Sequence, residues 1–169
     1  MTEANIGDDR IAAICQVLLD HHVEFVVIGG VAARLHDTGY ATVDIDICPS
    51  SADDNAEQLA AALREMDARL RVEGEPTGVP FDPHPQQLRQ MSTLTLITVH
   101  GPVDLCFEPA GFSDGYRALR PGRVIVDVSG VSVPVASLED VVTSKRSAGR
   151  PKDIVALPAL EERLRRRTE

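Results

Sequence analysis

An α+β fold, with a mixed β-sheet and helices packed on one side of it, is what this 169-residue sequence predicts. Three patterns carry the expectation. The chain opens on a helical apolar stripe, and its second half holds apolar segments that turn back on themselves at glycines. Helix-like and strand-like segments also follow one another without the strict alternation of a βαβ protein.

Taken in order, Ile11, Ile14, Cys15, Leu18 and Leu19 recur at helical spacing, so the first element is an amphipathic helix. EFVVIGG is a short buried strand stopped by Gly29 and Gly30, and VAARLHDTG a short helix or turn. GYATVDIDICPS is the next strand; side chains alternate across a strand, so Val43, Ile45 and Ile47 share one face while Asp44 and Asp46 share the other. SSADDNAEQLAAALREMDARLRV predicts the longest helix of the N-terminal half, with Ser51 as its cap, acids in its first turn, and Leu59, Leu63, Met66 and Leu70 on one side.

Residues 73–90 hold four prolines and two glycines without periodicity, which predicts a long loop. STLTLITVHGPVDLCFEP predicts a hairpin turning at His100–Pro102, and GRVIVDVSGVSVPVA a second turning at Ser129–Gly130. Ser137 and Asp140 have capping-box spacing at the head of a helix LEDVVTSKRSAG. A last, basic helix at about residues 152–169 follows Pro151, with a kink expected at Pro158, all within one domain of residues 1–169.

A hydrophobic content of 43 % suits a real core. No apolar run approaches the roughly 18 residues of a membrane span, and MTEANIGDDR is polar and acidic, so the cytoplasm and no membrane contact are expected. Cys15, Cys48 and Cys106, odd in number and set in apolar segments, read as reduced core residues. The five histidines have no metal-ligand spacing and read as surface or supporting residues. A net charge of −9 excludes a protein that simply coats nucleic acid. From Lys145 onward eight Lys or Arg face four Asp or Glu, so the only sizeable basic region is the C-terminal tail.

Two carboxylates side by side on an otherwise apolar strand disfavour joint ionisation, so they either hold a raised pKa or sit on a cation. A third, Asp104 in GPVDLCF, lies in another apolar strand. Three such acids suit Mg²⁺ or Mn²⁺, hard cations shared between carboxylates and substrate phosphates, and therefore phosphoryl or nucleotidyl transfer.

VVIGGVAARLHDTGYATVDIDI followed by SLEDVVTSKRSAGRPKDIVAL resembles the nucleotidyltransferase superfamily of polymerase-β-like fold, and within it the AbiEii and MenT group of toxin nucleotidyltransferases, over residues 25–48 and 100–160. The resemblance implies that Gly29 and Gly30 let the NTP triphosphate approach the backbone, with Thr42 beside it. It also implies that Asp44, Asp46 and Asp104 hold the metal, with Asp104 a base for the attacking hydroxyl. Lys145 maps onto a lysine that touches nucleotide phosphates, and RPKD brings Arg150, Lys152 and Asp153 toward the same site. Tyr40 stands where many relatives carry an arginine, and Gly-Gly where the commonest superfamily motif is Gly-Ser.

The expected activity is transfer of a nucleoside monophosphate from an NTP. The resemblance implies the 3′ end of tRNA as acceptor and the toxin role of a toxin–antitoxin pair, with an antitoxin protein as partner. Arg163, Arg166 and Arg167, on one helical face, would meet tRNA phosphates, an acidic antitoxin, or only water. The alternatives are the same chemistry on a protein hydroxyl or a small antibiotic, a reading mildly favoured over RNA by the charge of −9, and a catalytically silent binding module.

Overall fold

A computed structural model describes residues 4–169. Along the chain run α1 (Asp8–Asp20), β1 (Phe25–Ile28), α2 (Gly29–Leu35), β2 (Ile45–Pro49), α3 (Asp53–Glu65), β3 (Arg69–Val72), β4 (Glu75–Pro80) and α4 (Pro85–Gln90). The second half holds β5 (Thr93–Thr98), β6 (Gly101–Cys106), α5 (Tyr116–Leu119), a 3₁₀ turn (Arg120–Gly122), β7 (Val124–Val128), β8 (Val131–Val135), α6 (Leu138–Ala148) and α7 (Pro151–Thr168). The strands form one mixed sheet in the order β4-β3-β5-β6-β2-β1-β8-β7. β1 runs antiparallel to β2 and parallel to β8, and β2 runs parallel to β6.

α1 and α3 pack against each other and share one apolar core with β2. Ile11, Ile14 and Leu18 from α1, Leu59 and Leu63 from α3, and Ile45 and Ile47 from β2 are all fully or almost fully buried. Each such side chain contributes about 1.5–3 kcal/mol on burial, so the inward face of β2 is tightly held. On its other face Cys48 is fully buried and Asp46 is left half-buried. α2, α6 and α7 gather at one end of the sheet, α6 packing on both of the others.

Several expectations need correction. Residues 73–90 are not a loop: β4 pairs with β3, and α4 follows, started by Pro85 and capped by the His84 ring. β4 is the outermost strand, where a proline removes no shared hydrogen bond, and Gly78 at φ +73° passes within 2.8 Å of the Leu70 carbonyl as measured from the Cβ it lacks. Leu70 therefore belongs to β3, not to the helix. α3 begins after Ala52 without a side-chain cap, so Ser51 does not serve as one; Asn55 instead bonds the Ser50 and Glu24 carbonyls and ties α3 to the strand ends. α3 and α1 are equally long at 13 residues. The last helix forms as α7 with Pro158 inside it, as expected.

The two hairpins, β5–β6 and β7–β8, form, the first turning at Val99–His100 rather than His100–Pro102 because Gly101 and Pro102 already pair in β6, and the Ser137 hydroxyl caps α6 by accepting from the Asp140 amide at 3.1 Å. His36 is not a surface residue but is 2 % exposed. Cys15 and Cys48 are buried free thiols that burial pushes up to about 12, out of reach of ionisation at neutral pH. Among the described residues no helix is long and apolar enough to cross a membrane.

Candidate active site

Sheet register brings the acids together. Asp46 on β2 pairs with Asp104 on β6, and Asp44 stands two residues before Asp46, at the entrance to the strand. One carboxylate oxygen from each of Asp44, Asp46 and Asp104 lies within 4.8 Å of the others, and all three residues are half-buried. The Thr42 hydroxyl donates to the Asp44 carbonyl (3.2 Å) and carboxylate (3.3 Å), fixing the first acid before the strand begins.

The electrostatic cost is visible in the pKa values. Burial first, then Asp44 and Asp104, push Asp46 up to about 7, with Lys152 and Lys145 pulling weakly the other way. Burial also pushes Asp104 up to about 6, against the pull of the Arg71 guanidinium. Carboxylates raised in this way are short of positive charge. The donor set, three hard oxygens converging from two strands and the residue that leads into one of them, fits Mg²⁺ or Mn²⁺.

Gly29 and Gly30 open α2 directly beside the triad. At Gly29, φ is +64° and a Cβ would stand 2.3 Å from an Asp46 carboxylate oxygen; at Gly30 it would stand 2.8 Å from the Tyr40 ring and 2.9 Å from Thr42. Only glycine allows the helix to seat this close to the acid.

Lys145, on α6, is 6 % exposed. Its ammonium lies 3.4 Å from an Asp153 oxygen, 3.3 Å from the Tyr40 hydroxyl and 4.4 Å from the centre of the Tyr40 ring. Asp153 is fully buried and accepts from Arg150 Nε at 2.6 Å as well as from the Arg150 amide. Burial alone would raise its pKa, but the bonds and charge of Arg150, with Lys145, hold it below the usual carboxylate range. Tyr40, a departure from the family pattern in the sequence, thus packs the lysine from one side while Asp153 holds it from the other.

A cleft of about 550 Å³ covers the triad and takes in Gly29, Gly30, Thr42, Lys145, Arg150 and Lys152. Pro109, Ala110, Phe112 and Leu119 give it an apolar wall. Asp153 lies behind this cleft, touching it through Lys145 and Arg150. The tail arginines are elsewhere: Arg163 bonds the His36 carbonyl and Asp37, Arg167 the His36 ring, and Arg166 Glu162.

One site residue escaped sequence reasoning. Arg71 on β3 donates to Asp104 and, at 3.5 Å, to Asp44. The register carries it there: Arg69 pairs with Ile97 on β5, so Arg71 falls toward Thr95, which pairs with Asp104. Two arginines at alternate positions in RLRV were the available signal, but their partner depends on a pairing across two strands.

No protein-family model and no curated protein matches the chain. Solved structures do. The lincosamide antibiotic adenylyltransferase LnuA, lincomycin-bound, aligns at TM-score 0.60 with 14 % identity over 93 % of this chain and 98 % of its own. The antibiotic-resistance factor ANT(2″)-Ia aligns at 0.60 with 13 % identity over 93 % and 83 %. An antigenic nucleotidyltransferase-like protein from Paracoccidioides brasiliensis aligns at 0.54 with 17 % identity over 90 % and 74 %. The chain has the polymerase-β-like fold of the nucleotidyltransferases; at these identities the likeness defines the fold.

Proposed function

We propose that this protein is a metal-dependent nucleotidyltransferase that moves a nucleoside monophosphate from an NTP to an acceptor hydroxyl and releases pyrophosphate. The observation that carries the reading is the carboxylate triad beside a glycine-opened helix and a buried, clamped lysine. Asp44, Asp46 and Asp104 would hold Mg²⁺ or Mn²⁺, which supplies positive charge to the reacting phosphate oxygens. Gly29 and Gly30 leave room for the triphosphate, and Lys145, held by Tyr40 and Asp153, presents a fixed charge to it. Arg150 and Lys152 line the same cleft and extend that charge. Asp104 takes the proton of the attacking hydroxyl as its oxygen bonds the α-phosphorus and the bond to the leaving pyrophosphate breaks.

The acceptor we assign is the 3′ end of tRNA, with a toxin role and a cognate antitoxin as partner, on the resemblance to the AbiEii and MenT group. A second reading, transfer to a small-molecule hydroxyl, is favoured by the antibiotic adenylyltransferases among the structural neighbours. Arg163 and Arg167, engaged with His36, support the tRNA reading less than their charge suggested. Incubation with each labelled NTP, Mg²⁺, and tRNA, cell protein, lincomycin or no acceptor tests it. Label on tRNA is the expected result; label on lincomycin alone moves the assignment to the second reading, and no transfer with any acceptor sinks the enzyme.

A further inference from the structure

A second cavity adjoins the triad through Arg71. Of about 590 Å³, it opens between the N-terminal segment, the turn joining β3 to β4, and the start of β6. Its polar lining is Asn5, Arg10, Arg71 and Glu75, and Val43, Ile97 and Pro102 are among its apolar residues. Arg71 stands on the boundary, lining this cavity while donating to Asp44 and Asp104. Arg10 is exposed on α1, lies 3.5 Å from the position of a Cβ on Gly101, and forms no salt bridge among the described residues.

We propose that this second cavity is where the acceptor enters, and that Arg10 and Arg71 take a phosphate carried by the acceptor next to its attacking hydroxyl. The proposal rests on the nucleotidyl-transfer reading. In-line displacement puts the attacking oxygen and the leaving pyrophosphate on opposite sides of the α-phosphorus. Gly29, Gly30 and Lys145 claim one side for the triphosphate. Arg71, bonded to Asp104, marks the other, and the second cavity opens behind it.

The lining then selects the acceptor by charge. Of its charged lining residues, Arg71 already pairs with Asp44 and Asp104, Glu75 is the one carboxylate, and Arg10 forms no salt bridge among the described residues. A cationic acceptor would meet like charge at Arg10 on its way in, whereas a phosphate matches the planar two-donor edge of an arginine. A polynucleotide 3′ end carries a hydroxyl and a phosphate at neighbouring positions, and it is the class this geometry fits. The bond formed joins the acceptor oxygen to the α-phosphorus, the bond broken releases pyrophosphate, and the hydroxyl proton passes to Asp104.

Arg10 is the residue to change, because it is exposed on its helix and touches no acid of the triad. Arg10→Gln, Arg10→Glu and Arg10→Lys are compared with the parent for transfer to tRNA across a salt series, with NTP dependence measured in parallel. Arg10→Gln should raise the KM for tRNA about tenfold, one charge-assisted contact, and lower the slope of log affinity against log salt by about 0.7–0.9. Arg10→Glu should go further and Arg10→Lys recover part of the loss, with the KM for NTP moving least. A parent that modifies tRNA, beside an Arg10→Glu variant with the same KM and salt slope, overturns the acceptor site and leaves nucleotidyl transfer standing. A parent that labels lincomycin or cell protein but no RNA overturns the anionic acceptor. A parent that turns over no NTP with Mg²⁺ or Mn²⁺ overturns the transfer reading and this proposal with it.

Discussion

Replacing Asp46 by Asn should stabilise the metal-free protein above neutral pH while abolishing transfer. Burial, Asp44 and Asp104 together raise the Asp46 carboxyl from 3.8 to about 7. At about 1.36 kcal/mol per unit, keeping it ionised above pH 7 costs the fold roughly 4 kcal/mol, an upper bound that relaxation of the site reduces. With about half of that recovered by the neutral amide, and about 2–4 °C per kcal/mol for a chain of this size, the melting temperature should rise by about 4–8 °C. The sign follows from proton counts. Between about pH 4 and 7 the native state keeps a proton that the unfolded chain has lost, so parent stability falls as pH rises through that window. The variant should show a shallower fall, the remainder coming from Asp104, itself raised to about 6. Thermal melts in EDTA across that range, repeated with excess Mg²⁺, read both effects: Mg²⁺ should raise the parent and leave the variant almost unmoved. A variant that melts below the parent at high pH in EDTA, or gains as much from Mg²⁺, would refute the reasoning that Asp46 is a costly charge kept for a cation.

Three further outcomes are expected. Gly29→Ala should lower stability by about 1–3 kcal/mol and weaken the Mg²⁺-dependent rise in melting temperature, because φ is +64° there and the new methyl would displace the Asp46 carboxylate; equal Mg²⁺ responses in melts of parent and variant would count against the contact. Lys145→Ala should raise the KM for NTP by about 10- to 100-fold, the worth of one charge-assisted phosphate contact, as read from initial rates against NTP; an unchanged KM would leave the lysine as a structural partner of Asp153. His36 is held below its ordinary 6.5 by burial, with Arg167 and Arg163 adding to the shift, so the native state binds fewer protons there and the parent should lose stability as pH falls through about 6.5; Arg167→Gln should lessen that loss, and identical pH–melting profiles would remove the coupling.

Much of the fold was legible because its signals are local. The α1 stripe, the β7–β8 turn at Ser129–Gly130 and the Ser137 cap each depend on residues within a few positions of one another. The acids were legible too, since a carboxylate between β-branched neighbours is conspicuous in one dimension. β4 was not, because the prolines and glycine that look like a loop are tolerated on an edge strand, and a sequence does not say which strand is the edge. Arg71 required the pairing of β3 with β5 and of β5 with β6 to be known first. The tail arginines failed differently: counting charges located a basic segment, but Arg163 and Arg167 meet a helix end more than a hundred residues earlier in the chain.

These long-range pairings also explain how the site sorts its charges. Asp153 is buried against Lys145 and accepts from the exposed Arg150, so the lysine is aimed without being drawn onto the triad. Were Lys145 free to reach Asp46, it would neutralise a carboxylate of the proposed metal site. Arg71 is placed the other way, directly on Asp44 and Asp104, from β3, toward the opposite end of the strand order from β8, which leads into α6. Its contact is a half-exposed ion pair, of the kind that stabilises by only about 0–1 kcal/mol, and a divalent cation competes with it easily. The fold therefore keeps one cation locked on the side we assign to the leaving group and one exchangeable cation on the side we assign to the nucleophile.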